Sequence, residues 1–156
     1  MKLLFVCMGN ICRSPTAHAV MQHKIEQRGL TDRIQVESAG THAYHIGEQS
    51  DPRSRAKAAE KGIDMDYIRA QKISLLDHDE FDYIYAMDRD NLALIKLNAP
   101  DDGRAKVALF LDSARDQGLT DRVEVPDPYY GGAGGFDDVF DLVDLGCEAI
   151  LNEVLA

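Results

Sequence analysis

The segment between residues 2 and 15 constrains this chain more than any other. Residues 3–6 are an apolar run that predicts a buried strand, and Ser14-Pro15 predicts the start of a helix, with Ser14 as N-cap and Pro15 at the first helical position. The polar loop between them begins at Cys7 and closes at Arg13, with five residues between. A thiol and a guanidinium at the two ends of a strand–loop–helix unit indicate a site that holds a phosphate-like oxyanion and attacks it with sulfur.

The residue types of this loop suit that chemistry. A loop that reverses direction between a strand and a helix can point several backbone N–H groups at an anion. Gly9 and Asn10 tolerate the left-handed backbone angles that such a loop needs. Arg13 presents a planar fork that matches two oxygens of a tetrahedral anion. Cys7 lies where the helix N-terminus and Arg13 both favour negative charge, so we expect it to be a thiolate at neutral pH.

Two further loop residues have more than one interpretation. The Ser14 hydroxyl can cap the helix, and beside Cys7 it can also stabilise the thiolate. Cys12 is either a small buried residue that fills space, or a redox partner that traps oxidised Cys7 as a reversible disulfide. Neither interpretation of Cys12 is favoured by the residues alone.

Strand and helix patterns alternate along the whole chain. This alternation predicts an α/β fold in one domain, residues 1–156, with a parallel sheet covered by helices on both faces. Ligands of such sheets bind at the carboxyl ends of the strands, which is where Cys7 lies. The predicted strands are 2–6, 34–38, 81–87 and 106–111, and the predicted helices are 15–28, 52–61, 89–99 and 136–155.

Composition narrows the function. The formal net charge is −10, with 27 acidic and 17 basic residues, which disfavours nucleic acid and anionic membranes as partners. An anion site must therefore be local. The apolar run 3–8 is too short to cross a membrane and lacks the features of a signal peptide, so we expect no membrane insertion and a cytoplasmic location. Three cysteines are interpreted as reduced thiols: Cys7, Cys12 and Cys147.

A second segment supplies a candidate acid. Expelling an alkoxide or phenoxide from phosphate needs a proton donor. Asp127 lies between Pro126 and Pro128, which stiffen the backbone around it, and Tyr129 and Tyr130 follow as possible walls of an aromatic pocket. Alone, this segment is typical of a turn; beside the cysteine–arginine loop it favours a general acid.

Metal chemistry has no support in the residue pattern. The five histidines do not show metal-ligand spacing, and His42 and His45 are interpreted as surface residues. We therefore expect no metal site.

The two segments together resemble the low-molecular-weight protein tyrosine phosphatases. The matching stretches are Val6 to Pro15 and Asp127 to Tyr130, and similar segments occur between them in family order at 37–41, 44–47 and 83–88. The resemblance covers almost the whole chain. It implies a four-stranded parallel sheet with helices on both sides, and neither metal nor cofactor.

The resemblance also implies a role for each site residue. Cys7 would be the nucleophile that forms a phosphocysteine, and Asp127 the general acid and then base. Arg13 would bind the phosphoryl oxygens together with the loop residues Met8, Gly9, Asn10, Ile11 and Cys12. Hydrogen bonds from Asn10, Ser14 and Ser38 would hold the loop. The mouth, selective for a flat aromatic group, would be lined by Met8, Ile11, Tyr44, Tyr129 and Tyr130. Substrates would be phosphotyrosine proteins, and the resemblance suggests a tyrosine autokinase as one of them.

One departure and three alternatives accompany the resemblance. Relatives often carry a histidine in the stretch 64–68 that helps fix the loop asparagine, whereas this chain has Tyr67 and no histidine there. An arsenate reductase uses the same loop but needs a relay of further cysteines, and residues 63–110 contain none. A phosphoarginine phosphatase tends to have a smaller polar residue in place of Ile11. A silent phosphotyrosine-binding module would not require Cys7 or Asp127.

Overall fold

The computed structural model describes residues 1–128 and 134–156 and has an α/β architecture. Its four strands form one parallel sheet in the order β2-β1-β3-β4, with helices on both faces, which confirms the predicted fold class. The strands are β1 Lys2–Cys7, β2 Gln35–Gly40, β3 Tyr83–Ala86 and β4 Lys106–Leu109. The helices are α1 Arg13–Gln27, α2 Pro52–Glu60, α3 Asp77–Glu80, α4 Arg89–Leu97, α5 Asp112–Asp116 and α6 Gly134–Val154.

The central strand β1 is buried on both faces. Leu3 and Phe5 belong to the larger core cluster, and Leu4 and Val6 belong to a second cluster that also contains Ile95 of α4. Successive side chains of a strand point to opposite faces, so a strand with helices on both sides must be apolar at every position. This burial fixes the carboxyl end of β1, and with it Cys7, in the middle of the sheet edge.

In the larger core cluster, the backbone of α6 lies very close to the side chains that cover the sheet. Phe5 and Phe110 meet edge to face with ring centroids 5.2 Å apart. Gly146 of α6 lies directly over the second of these rings, and a Cβ at position 146 would come within 2.2 Å of the Cε2 atom of Phe110. A glycine inside a long helix is therefore explained by packing and not by a turn.

Helix starts agree with the sequence at two positions and differ at a third. Helices α2 and α4 begin at Pro52 and Arg89 as predicted. Asp51 and Asp88 cap them, since each carboxylate accepts a hydrogen bond from a backbone N–H of the first turn. The prediction for α1 was wrong: the helix begins at Arg13, with Cys12 as N-cap and no side-chain cap bond, so Ser14 lies inside the helix. The Ser14 side chain is used in the loop instead.

Two short helices, α3 and α5, were not predicted in full. They have four and five residues, too few to show the apolar periodicity of a helix. Among the described residues, no helix combines the length and apolarity needed to cross a bilayer.

Replacing Gly146 with alanine should destabilise the fold. The added methyl group collides with the buried Phe110 ring, and overpacking of this kind costs about 1–3 kcal/mol. We expect a lower denaturation midpoint for Gly146→Ala in chemical unfolding. Gly134→Ala in the same helix is the control, because a Cβ there meets no atom within 4 Å. Equal midpoints for the two variants would contradict the packing argument.

Candidate active site

The cysteine–arginine loop crosses the carboxyl edge of the sheet between β1 and α1. Asn10 has a positive φ of 57°, the left-handed conformation expected for it. Gly9 is covered by the ring of His45, and a Cβ at Gly9 would lie 3.1 Å from its Cδ2 atom. Further along the loop, the Ile11 carbonyl accepts a hydrogen bond from the Asp51 N–H at 2.8 Å.

The side chains of Asn10 and Ser14 connect the loop to Cys7. The Cys7 Sγ and Ser14 Oγ atoms lie 3.0 Å apart, and Asn10 Nδ2 donates to the same Ser14 oxygen at 2.8 Å. The Asn10 Oδ1 atom accepts a hydrogen bond from the backbone N–H of Gln71 at 3.0 Å. A main-chain amide therefore holds the asparagine in place, and no histidine near Tyr67 is required.

Ser38 contacts a histidine from a different element. Its Oγ lies 2.9 Å from His18 Nδ1, and its carbonyl accepts a hydrogen bond from Gln71 Nε2 at 2.9 Å. Among the described residues, Ser38 is therefore linked to Asn10 only through hydrogen bonds of Gln71. The His18 ring packs edge-on against Tyr67 with ring centroids 5.8 Å apart, and burial lowers the pKa of His18 to about 4. The sequence reasoning missed His18, although it lies one helical turn after Ser14.

Arg13 is buried and held by two other loops. Its side chain is 3% exposed, and Nη1 donates to Asp88 Oδ2 at 2.6 Å and to the Val125 carbonyl at 3.0 Å. Burial alone would lower the pKa of Arg13, but the charges of Cys7, Asp88 and Asp127 outweigh it and raise that pKa. The guanidinium is therefore a permanent and fixed cation. The role of Asp88 beyond helix capping was not predicted.

Asp127 lies beside the arginine. Its Oδ2 atom is 3.7 Å from Arg13 Nη2, and one third of its side chain is exposed. The Val125 N–H donates to the Met87 carbonyl at 2.9 Å, so the segment that carries Asp127 is attached to the end of β3. The structure thus brings Cys7, Arg13 and Asp127 together from opposite ends of the chain.

These residues surround a cavity of about 170 Å³. Tyr44 lines it as predicted, and so does His45, which the sequence reasoning had interpreted as a surface residue. Tyr129 and Tyr130 lie outside the described residues. Among the described residues, no group of three or more candidate ligands could hold a metal ion. The lining side chains and glycine are Cys7, Met8, Gly9, Ile11, Cys12, Arg13, Tyr44, His45 and Asp127.

Cys12 is buried next to this cavity as a free thiol. Burial, followed by the nearby charge of Asp51, raises the pKa of the Cys12 thiol far above its ordinary value. Cys12 is thus a neutral thiol at physiological pH, which is compatible with either interpretation of this residue.

A parallel α/β sheet with a thiol, a fixed guanidinium and a carboxylate at one carboxyl edge defines a class of thiol-dependent oxyanion sites. Comparison with known sequences narrows this class. The sequence model of the low molecular weight phosphotyrosine protein phosphatase family matches residues 2–156. The chain belongs to this family of phosphatases.

Individual relatives agree in sequence and in structure. A low molecular weight phosphotyrosine protein phosphatase of Schizosaccharomyces pombe is 45% identical over 145 residues, covering 92% of this chain and 90% of the relative. A protein tyrosine phosphatase structure from Entamoeba histolytica, with Hepes in the active site, superposes with a TM-score of 0.92 at 41% identity, covering 99% and 97% of the two chains. A structure described as a Drosophila arginine phosphatase gives 0.89 at 30% identity, covering 100% and 99%.

Removal of the His18 imidazole should change how stability depends on pH. The folded-state pKa of about 4 lies below the ordinary value of 6.5, so between these values the unfolded chain binds more protons and stability falls as pH falls. We expect this loss, about 3 kcal/mol between pH 7 and 4, to be absent in His18→Gln. The measurement is the free energy of unfolding at several pH values.

His23→Gln is the matched control for this comparison. His23 lies on the same helix, and within the described residues its ring makes no hydrogen bond. This variant should keep the pH dependence of the wild-type protein. Parallel curves for wild type and His18→Gln would contradict the assignment of a buried neutral imidazole.

Proposed function

We propose that residues 1–156 form one phosphatase domain that hydrolyses phosphotyrosine in proteins through a phosphocysteine intermediate. The observation that carries the proposal is the convergence of Cys7, Arg13 and Asp127 on one cavity at the carboxyl edge of the sheet. Membership of the phosphatase family supports the same reaction.

In the first step the Cys7 thiolate attacks phosphorus. The Cys7 Sγ–P bond forms while the bond between phosphorus and the phenolic oxygen breaks. Arg13, already oriented by Asp88 and Val125, binds the equatorial oxygens together with the N–H groups of residues 8–13. Protonated Asp127 donates its proton to the leaving phenolate, which departs as a neutral phenol.

In the second step water hydrolyses the phosphocysteine. The Asp127 carboxylate accepts a proton from the attacking water, the S–P bond breaks, and inorganic phosphate leaves. The Ser14 hydroxyl, 3.0 Å from Cys7 Sγ, donates a hydrogen bond to the departing thiolate and lowers the cost of its charge. Asn10 keeps that hydroxyl oriented through its bond at 2.8 Å.

The walls of the cavity favour an aromatic phosphoester. Met8, Ile11 and Tyr44 line it with apolar surface, which suits a phenyl ring between the phosphate site and solvent. Tyr129 and Tyr130 are proposed to complete this rim. A protein phosphorylated on tyrosine, such as a tyrosine autokinase, is the substrate class we propose, with phosphate as the anion in the site.

Two substitutions separate the roles of nucleophile and acid. Cys7→Ser should abolish turnover of phosphotyrosine, because serine is not ionised at neutral pH. Asp127→Asn should lower kcat by about 10²- to 10⁴-fold for phosphotyrosine, whose phenolate needs a proton, and much less for a phosphoester with an acidic leaving group. Steady-state kinetics over a series of aryl phosphates give the measurement.

Gln71→Ala is a suitable comparison for these variants. It removes a side chain that supports Ser38 but keeps the backbone N–H that binds Asn10. It should remain active with the wild-type leaving-group dependence. Full activity of Cys7→Ser would refute the phosphocysteine mechanism.

The same assays distinguish the alternatives that share this scaffold. The apolar wall formed by Ile11 and Tyr44 predicts higher kcat/KM for phosphotyrosine than for phosphoarginine peptides. Higher activity on phosphoarginine, the substrate type named for the Drosophila relative, would replace the proposed substrate. Arsenate-dependent oxidation of thioredoxin would indicate a reductase. Binding of phosphotyrosine without phosphate release would indicate a binding module.

For Cys12 we propose a redox role. Peroxide oxidises the Cys7 thiolate to a sulfenic acid, and the Cys12 thiol then displaces water from it and forms a Cys7–Cys12 disulfide, which thiols can reduce. Both cysteines line the same cavity. Because burial raises the pKa of Cys12, disulfide formation should become faster at higher pH.

Oxidation of a Cys12→Ser variant tests this role. After peroxide treatment and reduction with dithiothreitol, wild-type activity should return, whereas the variant should stay inactive because its Cys7 proceeds to sulfinic acid. Cys147→Ser is the control, since Cys147 is buried in α6, away from the cavity. Equal recovery of activity in all three proteins would indicate that Cys12 only fills space in the core and has no redox role.

A further inference from the structure

A second cavity lies next to the candidate active site, beyond residues 41–44. Its volume of about 390 Å³ exceeds the 170 Å³ of the first cavity. It is bounded by the segment 72–75, by α3 and by the end of α4. Its polar lining consists of Thr41, His42, Lys72, Ser74, His78 and Asn98.

The charge of this cavity is opposite to that of the chain. The chain has 27 acidic residues, but no aspartate or glutamate is among the residues that line the second cavity, whereas one lysine and two histidines are. Within the described residues the Lys72 side chain makes no ion pair and no hydrogen bond, while its backbone is fixed by a bridge to Gly40. Lys72 is exposed to solvent, and a cation that lines a cavity without a carboxylate partner favours an anionic ligand.

His78 adds a largely buried residue whose ring lines the cavity and keeps its nitrogens accessible there. The residue is 4% exposed, and its ring makes no hydrogen bond to any described residue. Two backbone N–H groups, of Arg104 and Ala105, donate to its carbonyl and fix its position. Burial lowers the pKa of His78 against the opposing charge of Asp77, whose Oδ2 atom already accepts the Ser74 N–H. The neutral ring has one N–H and one acceptor nitrogen, and with no partner among the described residues it can donate that N–H to a ligand in the cavity.

Apolar residues lie beside these polar groups. Ile95 forms a buried part of the wall, and Leu75 lines the cavity while remaining 63% exposed. Its neighbour Leu76 is also exposed. A free inorganic anion would leave this surface in water. An acidic side chain that belongs to a polypeptide would cover it with its own backbone and neighbours.

The two cavities are joined by one backbone segment. The N–H groups of Thr41 and His42 donate to the carbonyls of Cys7 and Met8 at 2.9 and 3.0 Å. The His42 ring stacks on the Tyr44 ring with centroids 5.1 Å apart and an interplanar angle of 9°. His42 lines the second cavity and Tyr44 the first, so this stack lies between the two cavities.

We propose that the second cavity binds an anionic residue of the phosphotyrosine substrate itself, either a carboxylate or a second phosphate, through Lys72, His78 and His42. This proposal rests on the proposed function, since it describes how that substrate is selected.

Peptide kinetics with a charge-neutral variant test the proposal. The substrates are phosphotyrosine peptides with alanine flanks, with one glutamate at each of positions one to four from the phosphotyrosine, or with a second phosphotyrosine at those positions. Wild type should prefer the best anionic peptide by about fivefold in kcat/KM, the value of a partly exposed ion pair near 1 kcal/mol. Lys72→Gln should reduce this preference to below about twofold.

The controls separate the cavity from general charge and from catalysis. Lys96→Gln removes an exposed lysine of α4 that does not line the cavity and should keep the preference. All three proteins should turn over free phosphotyrosine equally. Binding of the same peptides to Cys7→Ser, with and without Lys72→Gln, measures the preference without turnover and remains valid if phosphotyrosine hydrolysis is not found. A wild-type enzyme without the preference, or a preference that survives Lys72→Gln, overturns the proposal.

Discussion

The structure of the site depends on a single buried cation. Arg13 lies under the loop, with Nη1 bound to Asp88 and to the Val125 carbonyl. An unpaired guanidinium in this position would cost several kcal/mol, so its partners are required for the fold to tolerate it. They come from two other segments, and their bonds align the loop with the start of α4 and with the segment that carries Asp127. A lysine ammonium making the same two bonds would have no second nitrogen to present to an anion, because it lacks the planar fork of arginine.

A second constraint acts on the loop from the other side. Asn10 holds a left-handed backbone that most residues avoid, at a cost of about 1–3 kcal/mol. Its side chain offsets this cost by bridging the Ser14 hydroxyl and the Gln71 N–H. The loop amides therefore have their orientation before any anion arrives. An anion then meets a prepared set of donors, which is the condition for electrostatic stabilisation of a transition state.

The parts of this site that the sequence predicts are those that depend on local order. Cys7, Asn10, Arg13 and Ser14 lie within eight residues, so the strand–loop–helix pattern was enough to place them together. Contacts between segments that are far apart in the sequence leave no comparable pattern from which they could be predicted. Asp88 shows only the pattern of a helix cap, yet its Oδ1 caps α4 while its Oδ2 binds Arg13. The Gln71 N–H could not be predicted either, since every residue but proline has one. His18 was predictable in principle, because residues four apart in a helix share a face.

The negative charge of the protein surface explains why the cations of the site lie in cavities. A net charge of −10 repels a phosphorylated, acidic polypeptide at long range, and screening at physiological salt limits that repulsion to about 8 Å. Attraction must then come from cations placed where the substrate already touches the protein. In the proposed function, Arg13 provides this attraction for one phosphate at the base of the first cavity. Lys72 is proposed to do the same in the second cavity. Arg13 begins the helix that follows β1, and the backbone of Lys72 forms a bridge to Gly40 at the carboxyl end of β2. Under these two proposals, anions are bound at one edge of the sheet, while the net negative charge of the remaining surface repels them at short range.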